Sequence, residues 1–256
     1  MTAFSTDASS FRIKALALTS VHDSNITGSQ KHAGRKRLET LSMKHIETEV
    51  KFYLPEIEPV RNIIIRMGAE STGRIFETNL RFEDAEKNLI QRQSLLRLRK
   101  DTRTRLTFKA PSNDPDAEFK TLKELEVEVS DFATMRLILE ALGFHAEQIY
   151  EKWRETFVFQ ATTLCLDAVP FGNFLEIEGE KTAIKDLAGR LGLLWKKRIT
   201  ANYLAIFETI RQEFGLSFAD LTFENFTGAS IDVARVMQRF EADAEPVAGR
   251  TSDHRQ

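Results

Sequence analysis

Between residues 45 and about 210 the chain alternates polar and apolar residues with a period of two, interrupted by stretches of helical period. The alternation predicts eight strands, over 46–53, 73–82, 94–100, 104–110, 122–129, 149–159, 162–169 and 173–178. Helices are predicted over 56–67, 131–142, 182–191 and 201–214. Ser130 is the expected N-cap of the second helix, with Gly143 just past its end, and Thr182 and Thr200 are the expected caps of the third and fourth. A weaker helix is predicted from Ile231 to Phe240, inside a tail that also carries Phe218, Phe223 and Phe226.

Successive side chains of a strand point to opposite faces. In 46–53, Glu47, Glu49 and Lys51 therefore share one face, and Ile46, Val50 and Phe52 the other. Arg97 and Arg99 oppose Leu96 and Leu98, and Arg105, Thr107 and Lys109 oppose Leu106 and Phe108. Glu124, Glu126 and Glu128 oppose Leu125, Val127 and Val129. Lys152 and Arg154 oppose Trp153 and Phe157, and Glu176 and Glu178 oppose Leu175 and Ile177. Six strands thus repeat like charges on one face over an apolar back, two residues apart in five of them and four apart in Arg105 and Lys109.

A sheet with one solvated face would also alternate. Surface strands, however, mix signs, because adjacent like charges repel. Here the strands commit to one sign each and the signs nearly balance between strands. Charged faces that converge on a ligand carrying both phosphates and divalent cations explain this best. Eight strands close into a barrel whose lumen holds one small ligand. The expected fold is therefore α+β: a closed eight-stranded antiparallel β-barrel with amphipathic helices outside, covering the apolar wall. An outer-membrane barrel shares the polar-in, apolar-out pattern but should carry aromatic girdles and no covering helices.

Charge and composition add little to this picture. The 256 residues include 36 basic and 38 acidic side chains, a net charge of −2, so no global field points to nucleic acid or to a membrane surface. The single cysteine, Cys165, excludes an internal disulfide and reads as a buried structural thiol. No apolar run is long enough to span a bilayer, and 13–18, broken by Lys14, makes a poor secretory signal, so a cytoplasmic location is expected. Residues 1–42 lack periodicity and read as a flexible extension, with Met43 a candidate natural start. Residues 43–212 form the expected barrel domain, and 213–256 a tail that is partly helical and then disordered.

In order, the chain reads "ETEVK", "LLRLRK", "LTFKAP", "KELEVEV", "EKWRETF", "LCLDAVPFGNFLEIEG" and "NYLAIF". This series resembles the CYTH family, or triphosphate tunnel metalloenzymes, over about residues 45–208, and within it the bacterial class IV adenylate cyclase-like proteins. The resemblance implies Mg²⁺ or Mn²⁺ held by Glu47, Glu49, Glu176 and Glu178, with Asp167 available to a second metal or to orient basic groups. It implies a triphosphate clasped by Lys51, Arg97, Arg99, Lys109, Lys152 and Arg154. Glu124 and Glu126, with Glu128 beside them, would support the site. Two positions depart from the family pattern: Leu122 stands where relatives often have Arg, with Lys120 or Lys123 as substitutes, and Asn202 stands where they often have Ser. His45 and His145 read as structural, and Gly172 as a turn residue.

The expected activity is conversion of ATP to cyclic AMP and pyrophosphate. The alternatives are hydrolysis of inorganic or thiamine triphosphate, and a non-catalytic triphosphate-binding module. No nucleic acid or membrane partner is expected. Many members of the family are dimers, which leaves a homodimer open. Helix 201–214 or the tail is a candidate closure for the tunnel mouth.

Overall fold

The structure is a computed structural model that describes residues 45–112, 116–229 and 231–242. The expectations for residues 1–42, for Met43 and for the end of the tail lie outside these residues. Eight antiparallel strands appear where the alternation predicts them: β1 (Ile46–Leu54), β2 (Glu70–Glu83), β3 (Leu95–Lys100), β4 (Thr104–Pro111), β5 (Lys120–Val129), β6 (His145–Phe159), β7 (Thr162–Val169) and β8 (Gly172–Glu178). They close in the order β1-β5-β4-β3-β2-β6-β7-β8. β2 and β6 are longer than expected because they pair with each other over most of their length, through two register shifts.

The helices are α1 (Glu58–Arg66), α2 (Asn88–Gln91), α3 (Phe132–Ala141), α4 (Lys181–Arg190), α5 (Tyr203–Phe214) and α6 (Ala234–Gln238), with a 3-10 turn at Trp195–Lys197. The one-turn α2 has no pattern long enough to predict it. All three predicted caps need correction. Asp131, not Ser130, caps α3, its Oδ1 accepting from Thr134 N at 2.6 Å. Glu180 caps α4, accepting from Thr182 N at 3.0 Å, because Thr182 already lies inside the helix. Asn202 caps α5, accepting from Ala205 N at 2.8 Å, with Thr200 too far upstream to reach the first turn. The caps satisfy amide groups that the helix itself leaves unpaired.

The apolar backs of the strands face outward, as expected, and the helices bury most of them. Val50, Phe52, Leu164, Leu175 and Ile177 pack under Ile64 of α1 and Ile184 and Leu187 of α4. Leu80, Phe82, Leu96 and Leu98 pack under Leu139 of α3. The outer face of β5 is less covered, with Leu125 and Val127 exposed. A third cluster joins Phe174 to Tyr203, Ile206, Phe207 and Ile210 of α5, and to Leu221, Val236 and Met237 of the tail. The tail also pairs with β6 where β7 has ended: Leu221 N donates to Ile149 O, and Glu151 N to Leu221 O, both at 2.9 Å. In the turn between β7 and β8, a Cβ on Gly172 would sit 2.9 Å from the Tyr53 ring, so that position requires glycine.

Candidate functional site

Closure of the barrel turns one face of every strand onto a common cavity of about 1220 Å³. The register decides which charges meet. Most inward pairs of two charged residues join opposite signs: Lys51 with Glu176, Glu49 with Lys120, Lys109 with Glu124, Glu77 with Lys152, and Arg154 with Asp167. Three pairs do not. Glu49 stands opposite Glu178, Arg81 opposite Arg97, and Arg99 opposite Arg105. Like charges placed directly opposite destabilise a sheet.

The acid pair belongs to a cluster of three carboxylates. One carboxylate oxygen from each of Glu47, Glu49 and Glu178 lies within 4.8 Å of the others. Lys109 reaches Glu47 at 2.5 Å and Glu124 at 2.9 Å, and Lys120 reaches Glu49 at 2.6 Å. Burial favours the neutral form of all three acids, but Lys120 and Lys51 hold Glu49 down at about 2. Glu178 makes no ion pair among the described residues. Burial, helped by Glu49, Glu176 and Glu47 against the pull of Arg154, pushes it up to about 7. Burial also raises Glu47, despite Lys109. Three oxygen donors so placed suit a hard divalent cation with water on its remaining positions.

The remaining basic residues of the lumen are held by partners of their own. Arg154 donates to Asp167 from Nε at 2.7 Å and from Nη2 at 2.6 Å, and its Nη2 also donates to Glu176. Lys152 donates to Asp167 at 2.9 Å, and the Tyr203 hydroxyl donates to the same carboxylate at 2.9 Å. Asp167 is thus consumed by cations and stands apart from the three-carboxylate cluster. Glu176 likewise faces Arg154 and Lys51, the latter at 3.2 Å. Arg97 donates to Tyr150 Oη at 3.3 Å and to Thr107 Oγ1 at 3.1 Å, while Arg99 donates to Asn79 Oδ1 at 3.1 Å. Glu126 accepts from Thr107 at 2.8 Å. Glu128 does not join the lumen; it sits exposed at the rim beside Arg103.

Some lumen residues escape the search for paired like charges. Glu77, Asn79 and Arg81 of β2 mix signs along one strand, so only their opposition to Phe76, Leu80 and Phe82 marks them. Tyr203 is visible only as part of the helix-opening "NYL", yet its ring lies 5.0 Å from Lys51 Nζ and 5.4 Å from Lys152 Nζ.

The CYTH domain model matches residues 45–198, the barrel together with α1 to α4. The chain belongs to the CYTH family. It is similar to a Methanocaldococcus jannaschii protein provisionally named adenylate cyclase MJ0240, 28% identical over 135 residues, covering 52% of this chain and 76% of the relative. It is similar in structure to the PH1012 protein of Pyrococcus horikoshii OT3, 28% identical with a TM-score of 0.53, covering 61% of this chain and 96% of that one. A Vibrio parahaemolyticus protein provisionally assigned as an adenylate cyclase shares the fold, with a TM-score of 0.56 at 20% identity over 64% of this chain and 98% of its own.

Leu122 brings no charge to the lining, and two residues away Lys120 meets Glu49 at 2.6 Å. Both face the lumen, whereas Lys123 alternates to the other face. Asn202 substitutes fully for a capping serine. Cys165 reaches the lumen wall but is buried, which pushes its thiol up to about 12 and leaves it protonated and inert. His145 pairs with Glu147 at 2.9 Å on the surface, in keeping with a structural part. The first turn of α5 lines the cavity through Asn202, Tyr203 and Leu204, so this helix lies across one mouth of the lumen. Among the described residues no helix is long and apolar enough to cross a membrane.

Proposed function

We propose that this chain is a metal-dependent enzyme that draws ATP into the lumen and converts it to cyclic AMP and pyrophosphate, in the manner of class IV adenylate cyclases. The observation that carries the proposal is the register, which sets acid against acid at one lumen pair and arginine against arginine at two others. A ligand bearing both a divalent cation and several phosphates answers both mismatches at once.

Glu47, Glu49 and Glu178 would hold Mg²⁺ or Mn²⁺, their donor type and spacing fitting such an ion. Glu176 would adjoin them through Lys51, and Asp167 is reassigned to orienting Arg154, Lys152 and Tyr203. A divalent cation held there supplies Lewis-acid neutralisation of charge on phosphoryl oxygens and makes an attacking hydroxyl more acidic. Arg97, Arg99 and Arg154 offer forked donors to phosphate oxygens, and Lys51, Lys109 and Lys152 add point charges. Asp167, Tyr203, Thr107 and Tyr150 keep the arginine and lysine heads aimed inward before the ligand arrives. Phosphoryl transfer needs little else from a protein than such positioning and charge compensation.

The cavity of about 1220 Å³ exceeds what a triphosphate chain alone requires, leaving room for a nucleoside. The cyclase assignment borne by the M. jannaschii relative supports the same substrate. Hydrolysis of inorganic or thiamine triphosphate is the second reading, favoured by charged residues that surround the lumen and serve a bare triphosphate equally well. A binding-only module is disfavoured, because the acid cluster repels a polyanion unless a cation is bound. The test incubates the purified protein with ATP, inorganic triphosphate or thiamine triphosphate, each with Mg²⁺ or Mn²⁺, and separates the products. Cyclic AMP with pyrophosphate is the expected result. Phosphate release without cyclic AMP moves the chain to the hydrolases, and no turnover of any of the three overturns the proposal.

A further inference from the structure

Glu77 is a lumen charge with no task in the scheme above. It lies on β2 opposite Lys152, faces the cavity and is 0% exposed. Its neighbours are cations: Arg99 Nη1 lies 3.3 Å from Oε1 and Lys152 Nζ 3.7 Å from Oε2. Yet neither carboxylate oxygen accepts a hydrogen bond from any described residue. Two other lumen acids differ, for Asp167 accepts from Lys152, Arg154 and Tyr203, and Glu176 accepts from Arg154. A buried carboxylate without hydrogen bonds is held by nearby charge alone, here the cations around it. An amide of the same shape would fit this wall without that charge.

We infer that Glu77 is a positioning residue that makes the lumen select a metal-complexed triphosphate over the bare polyanion; this rests on the triphosphate reading above. Two physical effects lead there. Attraction to Glu77 draws the heads of Arg99 and Lys152 toward one point in the lumen, where they are set for neighbouring phosphate oxygens. Its own charge then stands among the very cations that bind those phosphates, with Lys152, Arg99, Arg154 and Arg97 together countering its burial and keeping it ionised. Glu77 lies outside the cluster of Glu47, Glu49 and Glu178, so a cation bound by those three would not be ligated by it. A bare triphosphate, at its most negative, meets the full repulsion, and the metal complex meets less of it.

Glu77→Gln keeps the shape and removes the charge. Lys152 retains Asp167 and Arg99 retains Asn79, so the fold should persist. The experiment titrates the whole chain calorimetrically with inorganic triphosphate in a chelator. It then measures kcat and KM with Mg²⁺ on the triphosphate that the wild type turns over, with the Tm recorded for each variant. Glu77→Gln should bind bare triphosphate about tenfold tighter while kcat falls about tenfold and the Tm holds. Glu77→Asp keeps the charge but withdraws it, and should bind the bare anion as the wild type does with a smaller loss of kcat. If Glu77→Gln fails to fold, wild-type affinity with reduced kcat in Glu77→Asp supports the inference. Unchanged binding and turnover in Glu77→Gln overturn it, as does a joint fall of affinity and Tm, which a merely structural role would give. So do equal tightening in Glu77→Asp, and an Asp variant indistinguishable from the wild type. A wild type that binds no triphosphate sinks the triphosphate reading itself, a different result from a wild type that binds it and is indifferent to Glu77.

Discussion

In the lumen Glu49 and Glu178 face each other, and among the described residues Glu178 has no ion pair, while on the neighbouring positions Arg154 spreads its donors over Asp167 and Glu176. Both groups bury charge, and Lys109 and Lys120 donate to Glu47 and Glu49, but among the described residues no hydrogen bond reaches Glu178. The consequence appears in the acids. Glu176 is held well below the usual carboxylate range, with Lys51 and Arg154 overcoming the effect of burial, whereas Glu178 is pushed up to about 7. Charge compensated from within rigidifies a site, and charge left uncompensated marks where a ligand's charge is expected. On the proposed reading, the carboxylate cluster takes its missing charge from a bound cation, and the arginines and lysines around Asp167 and Glu176 are already held in place for a ligand.

The sharpest way to break this contrast is to neutralise the uncompensated acid. Glu178→Gln should lower metal-dependent turnover at least about a hundredfold while the protein stays folded, because a cation ligand is lost where no protein cation depends on it. Steady-state rates and circular dichroism check this, and wild-type rates would remove Glu178 from the metal set. A smaller effect is expected among the lumen cations. Arg97→Ala should raise KM for the triphosphate about tenfold with a lesser change in kcat, since Lys152, Arg154 and Arg99 still face the phosphates. Unchanged KM would take Arg97 out of the site.

The contrast extends to pH. Glu178 and Glu47 are raised in the folded chain, so between about 4.5 and 7 the native state binds more protons than the unfolded one. Stability contributed by these groups is present below that window and lost as pH rises through it. Glu49 and Glu77, both near 2, lose their contribution only on acidification below about 4.5, outside this window. In the metal-free protein the Tm of Glu178→Gln should therefore gain on the wild type by a few degrees between pH 5 and pH 8. Parallel Tm curves would show that Glu178 is an ordinary carboxylate.

Much of this was legible in the chain. Period-two alternation located all eight strands, and paired charges such as Arg97 with Arg99 and Glu176 with Glu178 marked their inward faces. What alternation cannot give is register, because it fixes which face a side chain occupies but not which strand lies opposite. The mismatch of Glu49 with Glu178 and the capture of Asp167 by Arg154 arise only once the barrel closes. Glu77 was hidden for a related reason, since its partners Arg99 and Lys152 come from two other strands. The caps failed more locally: Ser130, Thr182 and Thr200 are favourable residue types, but Asp131, Glu180 and Asn202 occupy the positions that reach the free amides.

Glu47, Glu49 and Glu178 are proposed to hold a divalent cation that works together with the bound triphosphate. Titration of the wild type and of Glu178→Gln with Mn²⁺, followed by electron paramagnetic resonance with and without inorganic triphosphate, tests it most directly. The wild type should show a Mn²⁺ site that tightens when triphosphate is present, and Glu178→Gln should lose most of that binding. Equal Mn²⁺ binding by the two proteins, or no effect of triphosphate on either, would contradict the account.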